Sequence, residues 1–179
     1  MYHKCVTEVS VENQRKITES LLLLMTRIPF EDITVTQLCQ TAGVTRRVFY
    51  HLFSSKQGAL HALVDNKILA IGSGHPEEGR DTVQFFHYWK EQKTLLDVLR
   101  ANGMSSLLLE RMIVSVLAED YDVIYRLEQS GWKGSSQEVI VFGLSGLMGL
   151  VYSWYHSGYR RPVEEMATLA RQLMQPYLQ

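Results

Sequence analysis

The chain has 179 residues, 46% of them hydrophobic and 21% charged. That is the balance of a folded globular protein long enough to bury a core, and it excludes a disordered chain. A formal net charge of −1 excludes a polycation, although residues 1–60 hold seven Lys/Arg against five acids and the remainder eleven against fourteen.

Cys5 and Cys39 are the only cysteines, too few for a disulfide framework, so the chain reads as cytoplasmic. Cys39 sits in an apolar-patterned segment and is expected to be a small buried filler. No charged-then-apolar leader opens the sequence. From Val139 to Tyr159 there is no formal charge, a length that spans a bilayer. Yet Gly143, Gly146, Gly149, Ser145, Ser153 and His156 interrupt it, so a helix buried within the protein is expected and no membrane partner.

No stretch sustains an apolar–polar alternation, and the prolines fall at natural boundaries, so the fold class is all-α. A first helix is expected over about 11–28, with Ile17, Leu21, Leu24, Met25 and Ile28 as its stripe and Pro29 as its stop. Thr34 or Thr36 caps a short second helix that ends at Gly43 in a left-handed conformation. Thr45 caps a third, to about Leu52, and Ser54 or Ser55 a fourth, to about Ile71. The segment GSGHPEEGR, residues 72–80, has three glycines, a proline and no apolar residue, and is the clearest break. Beyond it helices are expected at about 81–102, 104–118, 121–130 and 136–157, with the loop SGWKGSSQ before the fourth. A last helix has Pro162 at its first position and runs to about Tyr177, making about nine in all. The division expected is 1–54 for the N-terminal three-helix domain and 55–179 for a C-terminal helical domain, the latter including a linking helix 55–71 and the loop 72–80.

Two short helices joined at Gly43 form a helix-turn-helix pattern. Leu38, Ala42, Val44, Val48 and Phe49 supply the face to be buried, which leaves Thr45, Arg46, Arg47, Tyr50 and His51 pointing outward. Such a helix offers a positive N-terminal turn to an anion. The major groove of B-DNA admits it, and arginine reaches guanine O6 and N7 with two hydrogen bonds.

The stretch FEDITVTQLCQTAGVTRRVFYHLFSSKQGALHALV, residues 30–64, resembles the DNA-binding domain of TetR-family transcriptional regulators, the likeness running from Ile17 to Ile68. The motifs that carry it are F-x-x-I-T-V from Phe30, A-G-V-T from Ala42, F-Y-H-x-F from Phe49, and SSKQGAL from Ser54. The resemblance implies a homodimer bound to a palindromic operator in double-stranded DNA, usually a repressor released by a small molecule. It implies base reading by Thr45, Arg46 and Arg47 and phosphate contacts by Tyr50 and Lys56. It also implies backbone contacts from Thr34 and Thr36 at the start of the second helix, and a contact from His51. Leu52 and Ser54 depart from the family pattern, where histidine or tyrosine, and lysine, are usual, and each removes a phosphate contact. Lys4, Arg15 and Lys16 on the N-terminal arm are further candidate cations.

In the C-terminal part, Ser145, Gly149, Ser153 and Ser157 recur every four residues, a ridge along which another helix packs closely. Val163, Met166, Ala167, Ala170, Leu173, Met174 and Tyr177 form an apolar stripe on the last helix. Both are expected at a four-helix dimer interface, as the family resemblance also implies. The segment FGLSGLMGLVYSWYHSG resembles the C-terminal domain of a TetR subgroup that includes regulators of dihydroxyacetone-kinase operons. Phe85, Phe86, Trp89, Phe142, Tyr152 and Tyr155 are the candidates for lining a pocket for a small apolar or aromatic effector, against the alternative that such rings are plain core. No two histidines stand at i, i+4 with a carboxylate between them, the helical metal-site pattern, and there is no nucleophile–base pattern or glycine-rich phosphate loop. An enzyme, a metal and a cofactor are therefore not expected. The alternative function is a protein-interaction adaptor of the same fold acting through another regulator.

Overall fold

The computed structural model describes Tyr2 and residues 7–71, 81–118 and 136–175. Nine α-helices and one 3-10 turn form among these residues, with no strand; Tyr2 makes one isolated antiparallel bridge with Phe53. The expected helix at 121–130, the segments 72–80 and 130–135, Lys4, Cys5 and Tyr177 lie outside the described residues.

The chain divides into two compact units, one of residues 1–67 and 94–105, the other of 68–93 and 106–179. In the first, α1 spans Glu8–Met25. It begins three residues before the expected start because Thr7 and Ser10 cap each other: the Thr7 hydroxyl accepts from the Ser10 amide, and Ser10 Oγ from the Thr7 amide. It ends at Met25 rather than Ile28, the chain tightening at Thr26 and Arg27, whose amides go to Leu23 O and Leu24 O, ahead of Pro29, which disfavours helical backbone at Ile28. A 3-10 turn over Phe30–Asp32 leads to α2 at Val35–Ala42 and α3 at Arg46–Leu52. Thr34, not Thr36, caps α2; its hydroxyl accepts from the Gln37 amide at 3.1 Å while Gln37 Oε1 accepts from the Thr34 amide at 2.9 Å. Gly43 closes α2 at φ 65°, and Val44 returns its amide to Cys39 O. A Cβ at Gly43 would meet nothing within 4 Å, so the backbone alone sets the cost of a side chain there. Gly43→Ala is expected to lose about 1–2 kcal/mol in denaturant unfolding, the penalty for an L-residue in the left-handed region.

Ser55 caps α4, Lys56–Leu69, accepting from the Gly58 amide. The expected single helix at 81–102 is two: α5 at Asp81–Glu91 and α6 at Lys93–Ala101. An unbroken helix would carry the buried stripe from Trp89 to Lys93, which is charged and exposed. The chain turns instead, and Leu95, Leu96, Val98 and Leu99 are buried in the first unit. Residues 55–67 and 94–105 thus pack with the helix-turn-helix, although everything after 54 was expected to belong to the C-terminal part.

The second unit holds α5, α7 at Leu107–Leu117, α8 at Gln137–His156 and α9 at Val163–Met174. Pro162 precedes α9 as its cap rather than standing at its first helical position. By length and composition α8 is apolar enough to cross a membrane. Its Leu144, Met148, Val151 and Trp154 face are buried, and it packs on α7, α9 and α5.

Candidate nucleic-acid interface

Phe49 and Leu52, 0% and 3% exposed, seat α3 against α1 and α2. Their spacing leaves the other side of the helix free. Thr45, Arg46, Arg47, Tyr50 and His51 are all exposed, Tyr50 by 49%. The Thr45 hydroxyl accepts from the Val48 amide at 3.2 Å, which fixes the first turn. The Arg46 guanidinium lies 5.8 Å from the Tyr50 ring centre, one helical turn on. Phe49 and Tyr50 stack edge to face at 5.3 Å, so the buried ring orients the exposed one. Two guanidinium groups and a phenol therefore share one face at the positive end of a helix.

Thr34 and Thr36 are exposed at the start of α2, with Thr34 engaged as its cap. Leu52 is used as core. Cys39 is free and buried, and burial pushes its thiol above the ordinary value, more than the nearby Arg46 charge lowers it.

Lys56 requires a correction. Its ammonium donates to Phe30 O at 2.6 Å, Glu31 O at 2.7 Å and Ile33 O at 2.8 Å, and lies 4.7 Å from the Phe30 ring centre. An ammonium has three protons, and all three are used. Lys56 is thus a clamp on the 3-10 turn and has no donor left for a phosphate. Arg15 and Lys16 are not on a free arm either. They stand on α1, where Arg15 is paired with Glu12 and Glu19 and Lys16 with Glu12. At the other end of the arm, Tyr2 Oη donates to the buried Asp65 at 2.7 Å.

The C-terminal candidates separate. Phe85, Phe86, Trp89 and Tyr155 are buried, and Phe85 meets both Phe86 and Trp89 edge to face. Phe86 in turn meets Trp154 edge to face at 5.6 Å. The indole N–H of Trp89, on a fully buried side chain, has no hydrogen-bond partner among the described residues. Tyr152 is half-buried, and burial raises its phenol to about 12, so it stays protonated at neutral pH. Phe142 does not join them: it is 59% exposed, on the opposite side of α8.

The expected interface residues separate as well. Val163, Met166, Ala170 and Met174 are buried inside the single chain, where α9 packs on α5, so they have no surface to offer a second copy; of the stripe Leu173, 54% exposed, faces out. On α8, Gly149, Ser153 and Ser157 are exposed but Ser145 is half-buried, its hydroxyl turned back to Val141 O. The outward line is Phe142, Gly146, Gly149 and Ser153, alternating four and three residues as a helix of 3.6 residues per turn requires.

Asn102 and Gln37 were missed from sequence. Gln37 has a local signal, the T-x-x-Q spacing of a capping box after Thr34. Asn102 has none: its Oδ1 accepts from the Phe30 amide, 72 residues away, at 2.6 Å.

No family model matches the chain, and no curated protein matches it. Among solved structures it is similar to a TetR transcriptional regulator from Rhodococcus sp. RHA1, with a TM-score of 0.52, 15% sequence identity, and coverage of 93% of this chain and 96% of that one. The all-helical fold of this chain is therefore TetR-like.

Proposed function

We propose that the chain is a homodimeric, sequence-specific DNA-binding transcriptional regulator, a cytoplasmic repressor released from a palindromic operator by a small molecule. The observation that carries this reading is α3, seated by Phe49 and Leu52 and exposing Arg46, Arg47, Tyr50 and His51 on one face. A helix of this kind fits the major groove, and paired arginines suit guanine edges. The TetR-like fold supports the same reading. Thr45 is proposed to read bases beside the two arginines, and Thr34 and Thr36 to contact the backbone.

The dimer is proposed through the outward line on α8 together with Leu173. The effector is proposed to be a small aromatic or apolar molecule with one acceptor, taken by the indole N–H of Trp89 beside Phe85 and Phe86. A buried N–H without a partner costs about 1–3 kcal/mol, which a ligand acceptor would recover. Release requires the effector to favour a conformation in which the half-site spacing misses successive grooves. Selection from random DNA tests the whole reading. The expected winner is a palindrome with half-sites one helical turn, about 34–36 Å, or a multiple apart. No enrichment over repeated rounds, at low salt as well as high, would rule the reading out.

A further inference from the structure

The turn between α1 and α2 is held from two sides by residues far away in the chain. Phe30 opens the turn after Pro29, and its amide has no partner within so short a helix. Asn102, just past the end of α6, supplies one: Oδ1 accepts from the Phe30 amide at 2.6 Å. The rest of that carboxamide is fixed too, Nδ2 donating to Val98 O at 2.8 Å in the last turn of α6. On the other side Lys56, from the first turn of α4, donates to the three carbonyls of Phe30, Glu31 and Ile33. Phe30 and Ile33 are each 1% exposed and the hydrogen bonds to them are part-buried, while the one to Glu31 O is exposed, so a lost partner is replaced only in part by water. The next residue, Thr34, is the cap of α2.

We infer that Asn102 and Lys56 are positioning residues that grip the Phe30–Ile33 turn from its amide and carbonyl sides and so set where α2 begins and how α3 is aimed. The part of this concerning DNA rests on the reading of α3 as a recognition helix; the grip on the turn does not. None of their hydrogen bonds goes to the exposed face of α3. Their loss leaves Arg46 and Arg47 in place but frees the platform that carries them. A mis-aimed helix keeps its phosphate attraction and loses its base contacts.

The experiment uses the full chain with Asn102→Ala, Asn102→Asp and Lys56→Met. Asn102→Asp keeps an acceptor for the Phe30 amide, and Lys56→Met keeps the alkyl stem on the Phe30 ring without the donors. Asn102→Ala is expected to speed amide hydrogen exchange at Phe30 by about tenfold. Well below the unfolding temperature, the ratio of affinity for the selected sequence over random DNA should fall by about tenfold in Asn102→Ala and Lys56→Met, and recover in Asn102→Asp. Unchanged exchange at Phe30 overturns the grip. A lowered Tm with an unchanged specificity ratio reduces both residues to ordinary stabilisers and overturns the positioning role. Should Asn102→Ala fail to fold, Lys56→Met and Asn102→Asp carry the same comparison. A wild-type chain that selects no DNA overturns the functional reading, and the exchange at Phe30 then decides the grip by itself.

Discussion

Arg46→Ala together with Arg47→Ala is expected to remove sequence preference while leaving the fold intact. Each bidentate arginine–guanine contact discriminates by about 1–3 kcal/mol, so the pair should cost about 2–6 kcal/mol on the preferred site, roughly 30-fold to 10⁴-fold. The helix itself has no reason to fail. Both side chains are exposed, the Thr45 cap is untouched, and alanine is the best helix former. The Tm should therefore stay where it is, apart from the Arg46–Tyr50 contact, an exposed pair worth about 0.5–1 kcal/mol. Titrations on the selected sequence and on random DNA, each at two salt concentrations, separate the contributions. A fall on the selected sequence alone assigns the arginines to base reading. An equal fall on both, with a shallower salt dependence, assigns them to phosphates. An unchanged preference would place recognition elsewhere than on α3.

What the sequence made legible here has a common character. Thr45 as cap, Gly43 as left-handed stop and the inward Phe49 are all decided within a few residues. The T-x-x-Q spacing even contained the choice of Thr34 over Thr36. Local backbone groups need local partners, and the residue types that supply them are few. The errors have a common character as well. The family resemblance implies a phosphate contact at Lys56, but its partners lie 23 to 26 residues away and nothing near it in sequence announces them. Asn102 lies further still from Phe30. The stripe on α9 is apolar in the way an interface stripe is apolar, and periodicity does not say whether the covering surface is the same chain or another. Here α5 covers it, and Val163, Met166, Ala170 and Met174 belong to the subunit core.

That correction narrows the proposed dimer surface to the outward line of α8 with Leu173 of α9 and sharpens its test. Gly146 and Gly149 stand inside a 20-residue helix, where each costs about 1 kcal/mol relative to alanine. Neither is demanded by its surroundings: a Cβ at either position would meet nothing within 4 Å. Their backbone is not in the left-handed region, so conformation does not demand glycine there. Two glycines on the exposed side, between Phe142 and Ser153, leave room for the close helix approach that the proposed dimer requires. Gly149→Arg is therefore expected to fold as well as the parent, or slightly better, and to separate the copies. Light scattering should report half the parent mass. DNA affinity should fall by about 10²- to 10⁴-fold, since a single recognition helix forfeits the effective concentration that a linked second half-site provides. The fall should be far smaller on DNA bearing one half-site, because the parent gains nothing from its second helix there. A Gly149→Arg chain that remains a dimer and binds the palindrome as before would move the interface off α8, whatever the fate of α3.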